Sequence, residues 1–139
     1  MKLNIIVSLL ASLMLTGGCA LEPSENTQPQ PQTPVYQKIT AEQAKEMMDN
    51  NESYILLDVR TGEEYAERRI DGAILIPHDE IAERAPSELP DKNALIFIYC
   101  LRGIRSEIAA NQLVEMGYVN VYDLGGINDL SADVFTFAY

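Results

Sequence analysis

The sequence predicts an α/β domain: a parallel sheet with helices on both faces. Two observations carry this. The runs Tyr54–Val59 and Ala94–Tyr99 are short and nearly all apolar, as expected of strands buried on both faces. Segments with helix-start signals and apolar faces of helical period lie between such runs, so strand and helix alternate along the chain. The 139 residues suffice for one domain of this kind, and 47% hydrophobic residues is ordinary for a chain with a real core.

Residues 1–18 have the form of a signal peptide: Lys2, an apolar stretch from Leu3 to Leu15, then Thr16-Gly17-Gly18. The stretch is short of the roughly 20 residues of a membrane-spanning helix. The small residues leading into Cys19 resemble a bacterial lipobox, although Thr16 stands where the usual pattern has Leu. That resemblance implies cleavage before Cys19 and lipidation of its thiol; an ordinary secretory signal cut near Ala20 is the alternative. Residues 19–34 are rich in Pro and Gln and have little to bury, so they are expected to form a disordered tether. The expectation is an exported lipoprotein on the extracytoplasmic face of a bacterial membrane, with residues 35–139 as its folded domain.

Within that domain, Thr40-Ala41-Glu42-Gln43 is a capping-box pattern, with Ala44, Met47 and Met48 as the apolar face of the helix that follows. The polar run Asp49-Asn50-Asn51-Glu52 ends it, and Tyr54–Val59 is a strand. Thr61-Gly62-Glu63-Glu64 is a second capping box, opening a short helix through Arg68. Gly72–Pro77 is predicted as a strand stopped by its proline. A short helix over His78–Arg84 and a loop over Ala85–Asn93, with Pro86 and Pro90, follow. Then come the Ala94–Tyr99 strand, a loop, and a helix over Ser106–Met116. Tyr118–Asp123 is the last strand, Leu124-Gly125-Gly126 a turn, and a short segment runs to Tyr139.

The loop Cys100-Leu101-Arg102-Gly103-Ile104-Arg105-Ser106 draws the chemistry together. It joins the C-terminal end of a strand to a helix N-terminus, where open α/β sheets place their ligand sites. Free N–H donors and the positive end of the helix dipole favour an anion there, including a thiolate, the reactive form of cysteine. Arg102 and Arg105 add positive charge and are candidates for binding an anionic substrate. Gly103 allows a tight turn, backbone N–H groups from Leu101 through Ile104 to Arg105 offer a cradle, and Ser106 is placed to cap the helix. Asp58 and Arg60 are expected to be structural, Asp58 receiving backbone N–H groups near the loop and Arg60 pairing locally with Glu64.

The net charge of −11 argues against a nucleic-acid partner. The two cysteines, Cys19 and Cys100, sit in unlike contexts, which argues against a disulfide scaffold. With one histidine and no CxxC pair, no metal site is expected.

Residues from about 36 to 130 resemble the rhodanese (sulfurtransferase) family. Four stretches carry the likeness: Leu57-Asp58-Val59-Arg60 with Glu64-Tyr65; Arg69-Ile70-Asp71-Gly72-Ala73 with Ile76-Pro77; the Cys100–Ser106 loop; and Leu124-Gly125-Gly126-Ile127. The family's second motif often has His where Arg69 stands, its terminal motif is often followed by Trp where Leu130 lies, and Arg often follows the cysteine where this chain has Leu101. The resemblance implies transfer of a sulfane sulfur through a Cys100 persulfide, from an anionic donor such as thiosulfate to a thiol or cyanide. It implies no cofactor, and a monomer is expected. Two rivals stand beside it. A persulfide carrier or binding module would use the same fold. Cysteine-dependent phosphatases and arsenate reductases carry a similar loop that is one residue longer, and the shorter span from Cys100 to Arg105 makes a smaller cradle.

Overall fold

The computed structural model describes residues 35–139. The expected signal peptide, Cys19 lipidation and tether lie outside the described residues.

In chain order the elements are β1 (Gln37–Lys38), α1 (Ala41–Asp49), β2 (Ile55–Asp58), α2 (Gly62–Glu67), β3 (Arg69–Ile70), β4 (Ile74–Leu75), α3 (Ile81–Glu88), β5 (Leu95–Cys100), α4 (Ile104–Glu115), β6 (Asn120–Gly126), a 3₁₀ turn over Ile127–Asp129, and β7 (Phe137–Ala138). Five strands form a parallel sheet in the order β1-β6-β5-β2-β4. Both predicted capping boxes form: the hydroxyls of Thr40 and Thr61 accept from the N–H groups of Gln43 and Glu64, whose side chains return the bond.

The central strand β5 explains the two-sided core. Ile96, Phe97, Ile98 and Tyr99 are all fully buried, and alternate residues point to opposite faces. Ile96, Ile98 and Cys100 pack with Ile81 and Ala85 of α3 and Ala109, Ala110 and Leu113 of α4. Phe97 and Tyr99 pack with Ala44 and Met48 of α1, and with Ile70, Leu130 and Phe135. The helices therefore cover both faces of the sheet, as the sequence predicts.

Several elements differ from expectation: β1 and β3 are not foreseen, and Leu124-Gly125-Gly126, read as a turn, is the end of β6. The third helix runs to Glu88 and contains Pro86, which the sequence places in a loop. Burial of Ile81, Ala85 and Leu89 outweighs the proline's weak helix propensity, and the single proton of the buried Tyr118 hydroxyl is shared between the carbonyls of Ala85 (2.9 Å) and Leu89 (2.7 Å) near its end. The last helix begins at Ile104 rather than Ser106. The C-terminal segment folds back as β7, antiparallel to β3, with Phe135 and Leu130 buried.

Candidate active site

Cys100 ends β5 and is 1% exposed. The chain then turns through Gly103, whose φ of +94° lies in the left-handed region that favours glycine, and enters α4 directly. The turn carries the Gly103 N–H back onto Cys100, donating to its Sγ at 3.0 Å. A sulfur anion at this position thus faces a backbone donor and the N-terminal end of a 12-residue helix. Ser106, expected to cap that helix, lies inside its first turn because Gly103 takes the cap position. The buried Ser106 hydroxyl donates to the Gly103 carbonyl at 2.9 Å and braces the turn.

Beneath the loop lies Gly126. Strands β5 and β6 pair in regular register as far as Ile98 with Asp123, after which Cys100 aligns with Gly126, so β6 carries one extra residue. Gly125, at φ +79°, sits in this bulge, and its N–H donates to the Asp123 carboxylate at 2.9 Å. The irregularity brings the Gly126 backbone against the loop. A Cβ on Gly126 would lie 2.7 Å from the Leu101 carbonyl oxygen and 2.8 Å from the Arg102 Cα.

The two loop arginines differ in surroundings. Arg102 is exposed and has no ion-pair partner among the described residues. Arg105 is half-buried, and its Nη1 and Nη2 donate to the two oxygens of the Glu64 carboxylate, each at 2.7 Å. These bonds pull the Glu64 carboxyl down to about 2 against the opposing effect of burial, with the Thr61 N–H assisting. They also raise Arg105, against desolvation, with the charges of Glu64, Cys100 and Asp58 adding. Arg105 therefore ties the loop to α2 through one N–H of each Nη, and it also lines the cavity beside Cys100.

The expected Arg60–Glu64 pair is absent for the same reason: Glu64 is engaged by Arg105. Arg60 pairs instead with Asp58. Its Nε and Nη2 donate to the two Asp58 oxygens at 2.9 and 2.6 Å, and its N–H donates to Oδ1 at 3.0 Å. Both side chains are buried, so each charge requires the other. Burial would lower the Arg60 guanidinium, and the Asp58 bonds outweigh it. Tyr99 completes the network: its ring lies 5.6 Å from the Arg60 guanidinium, and its hydroxyl accepts the Ile70 N–H at 3.1 Å. Burial, reinforced by Asp58, pushes the Tyr99 hydroxyl well above its ordinary range, so it stays neutral. Tyr99 thus joins β5 to β3 through Ile70, and Arg60 Nη2 also donates to the Arg68 carbonyl just before β3.

A cavity of about 270 Å³ opens over the sulfur, lined by Cys100, Leu101, Arg102, Ile104 and Arg105. A wider cleft of about 640 Å³, lined in part by Ile55, Leu95 and Asn120, lies at the opposite ends of the strands. No cluster of His, Cys, Asp and Glu able to hold a metal ion occurs among the described residues. Glu64 and Gly126 are the residues that sequence reasoning does not assign to the loop. Both were visible inside family-like motifs, but their contacts with the loop are tertiary.

Fold and loop define a class: an α/β domain with a cysteine at an anion-accepting turn between strand and helix. Residues 40–133 match the family described as "Rhodanese-like domain", and the chain belongs to that family. It is 41% identical over 75 residues to "Thiosulfate sulfurtransferase PspE" of Escherichia coli (strain K12), covering 54% of this chain and 72% of that protein. It is 39% identical over 87 residues to "Putative sulfur carrier protein YrkF" of Bacillus subtilis (strain 168), covering 63% of this chain and 46% of that one. Among solved structures, "rhodanese with anions from E. coli" superposes with a TM-score of 0.57 at 36% identity, covering 62% of this chain and 98% of that chain.

Proposed function

We propose that this chain is a sulfurtransferase that carries a sulfane sulfur as a persulfide on Cys100. The observation that supports it most is the Gly103 N–H aimed at Cys100 Sγ from 3.0 Å, at the start of α4. The Cys100 thiolate attacks the outer sulfur of an anionic donor such as thiosulfate. The donor's S–S bond breaks, and sulfite leaves with the bonding pair. The terminal sulfur of the new persulfide carries the negative charge, which the turn's backbone donors and helix dipole favour. A thiol or cyanide acceptor then attacks that sulfur and regenerates the Cys100 thiolate. Arg102, without an ion-pair partner among the described residues, is placed to meet the leaving anion, and the mechanism needs no cofactor.

The test is intact mass after incubation with thiosulfate. A gain of one sulfur atom, absent in Cys100→Ala, supports the proposal; no gain with thiosulfate or polysulfide sinks it. The likeness to YrkF favours a second reading, a carrier that hands its sulfur to one protein thiol. Steady thiocyanate release on cyanide addition supports a turnover enzyme; a single stoichiometric release supports the carrier.

The proposal extends to place. Lys2, the apolar Leu3–Leu15 stretch and the small residues before Cys19 support export and lipid anchoring. Radiolabelled fatty acid should be incorporated in cells and lost in Cys19→Ala; unlabelled wild-type protein overturns the anchor.

A further inference from the structure

We propose that the cleft where the strands begin is a binding site for a neutral oligosaccharide, stacked on Tyr54 and Tyr122 and hydrogen-bonded by Asn51, Asp91 and Asn120. The site is separate from the sulfur chemistry. Ile55, Leu95 and Asn120, the first residues of β2, β5 and β6, line the cleft, whereas Cys100 is the last residue of β5. At about 3.3 Å per residue, the length of β5 sets the two sites roughly 17 Å apart.

Size gives the first reason. The cleft holds about 640 Å³, within the range of about 300–1,000 Å³ typical of small-molecule sites. Benzene is accommodated in a cavity of about 150 Å³, so more than one six-membered ring fits here.

The rings give the second. Tyr54 is 44% exposed, yet its ring stands edge-on to the buried Phe97, with centroids 6.0 Å apart at 77°. Tyr122 packs against the same Phe97 at 5.6 Å. One buried ring thus holds two tyrosines in the wall of one cleft. Each offers an electron-rich face and a polar tip, which suit the C–H face and the hydroxyls of a pyranose. Their fixed packing leaves little freedom to lose on binding.

The polar lining gives the third. Asn51 Nδ2 donates to the Met47 carbonyl at 2.6 Å, and Asn120 Nδ2 to the Asn93 carbonyl at 2.8 Å. Asp91 Oδ1 accepts the Asn93 N–H at 2.8 Å. These bonds fix the three side chains. The amide oxygens of Asn51 and Asn120 and the second Asp91 oxygen accept no hydrogen bond among the described residues. All three are acceptors, so a fitting ligand brings several donors close together, as neighbouring sugar hydroxyls do.

Charge gives the last. No lysine or arginine lines the cleft, and Asp91 is its one charged residue among those described. Lys92, next in sequence, lays its ammonium over the Tyr118 ring, 3.7 Å from the centroid. An anion would lose water here without gaining a counter-charge, whereas a neutral polyol carries no such cost.

The experiment titrates the full chain, labelled with ¹⁵N, with cellotriose, maltotriose and tri-N-acetylchitotriose at millimolar concentration and follows amide shifts. At least one sugar should move the signals of Tyr54, Ile55, Leu95 and Asn120 and leave Cys100 and Gly103 in place. Tyr54→Ala should weaken binding about tenfold or more, and Tyr54→Phe, which keeps the ring, should retain most of it. Asn93→Ala, at an exposed position, keeps the backbone carbonyl that holds Asn120 and should bind as the parent does. The rate of Cys100 loading should be unchanged in all three variants. No shift with any of the sugars, shifts confined to other residues, or equal binding by Tyr54→Ala with its circular dichroism retained overturns the site. Spermidine or choline moving the same signals at lower concentration than every sugar overturns the ligand class in favour of a cation.

Discussion

Arg105 and Glu64 meet fork to fork, two nitrogens on two oxygens at 2.7 Å, across 41 residues of sequence. The pair joins the second residue of α4 to the first turn of α2, where Glu64 also closes a capping box with Thr61. Loop position and helix start are thereby set by one carboxylate. Lysine offers one ammonium where the site uses a planar fork. Arg105→Lys is expected to slow Cys100 loading by about ten- to a hundredfold, the scale of a misplaced catalytic group. The measurement is the rate of mass gain with a sulfane donor; an unchanged rate removes the positioning role.

The same carboxylate predicts an acid response. Its pKa is about 2 in the folded domain against 4.5 for the free side chain. A depressed folded value contributes stability that is present above 4.5 and lost as the pH falls through about 2. Denaturant midpoints should therefore decline across that window. Glu64→Gln should be less stable at neutral pH and show a flatter decline. Parallel curves for the two proteins would contradict the assignment.

Gly126 permits a test of the loop's floor. Gly126→Ala places a methyl 2.7 Å from the Leu101 carbonyl, so the loop must lift. Loading of Cys100 should fall at least about tenfold, while far-UV circular dichroism stays that of the parent. Full activity with retained structure would show that the loop yields without consequence.

Asp58 and Arg60 predict a stability effect. Asp58→Ala leaves a buried guanidinium without its partner and is expected to cost about 3–5 kcal/mol, read from urea unfolding. A loss below about 1 kcal/mol would place the pair among weak surface bridges.

Tyr118→Phe removes the hydroxyl that serves the Ala85 and Leu89 carbonyls and should cost about 1–3 kcal/mol. The loss should concentrate in faster amide exchange at the end of α3. Uniform exchange would deny the local capping role.

Local chemistry made much of this molecule legible. Thr40 and Thr61 announce their helices because a capping box lies within four residues of chain. The apolar run ahead of Cys100 marks a central strand, and the cysteine-arginine-glycine spacing marks the turn. What escaped depends on distant partners. Glu64 lies four residues from Arg60, which suggests a local pair, yet burial gives Arg60 to Asp58 and leaves Glu64 for Arg105. Pro86 signals a break, but apolar burial and the Tyr118 hydroxyl carry the helix past it. The β3–β7 ladder joins two strands of two residues each, too short to leave a pattern.

The floor under the loop also fixes an order of assembly. Cys100 precedes β6 in the chain, and the glycine supporting its loop is the last residue of that strand. A nascent or shortened chain ending after α4 holds the thiol and the residues of its turn but not the Gly126 floor that supports them. It should behave toward sulfane donors as ordinary cysteine does. Competence for sulfur chemistry therefore arrives late, with the docking of β6.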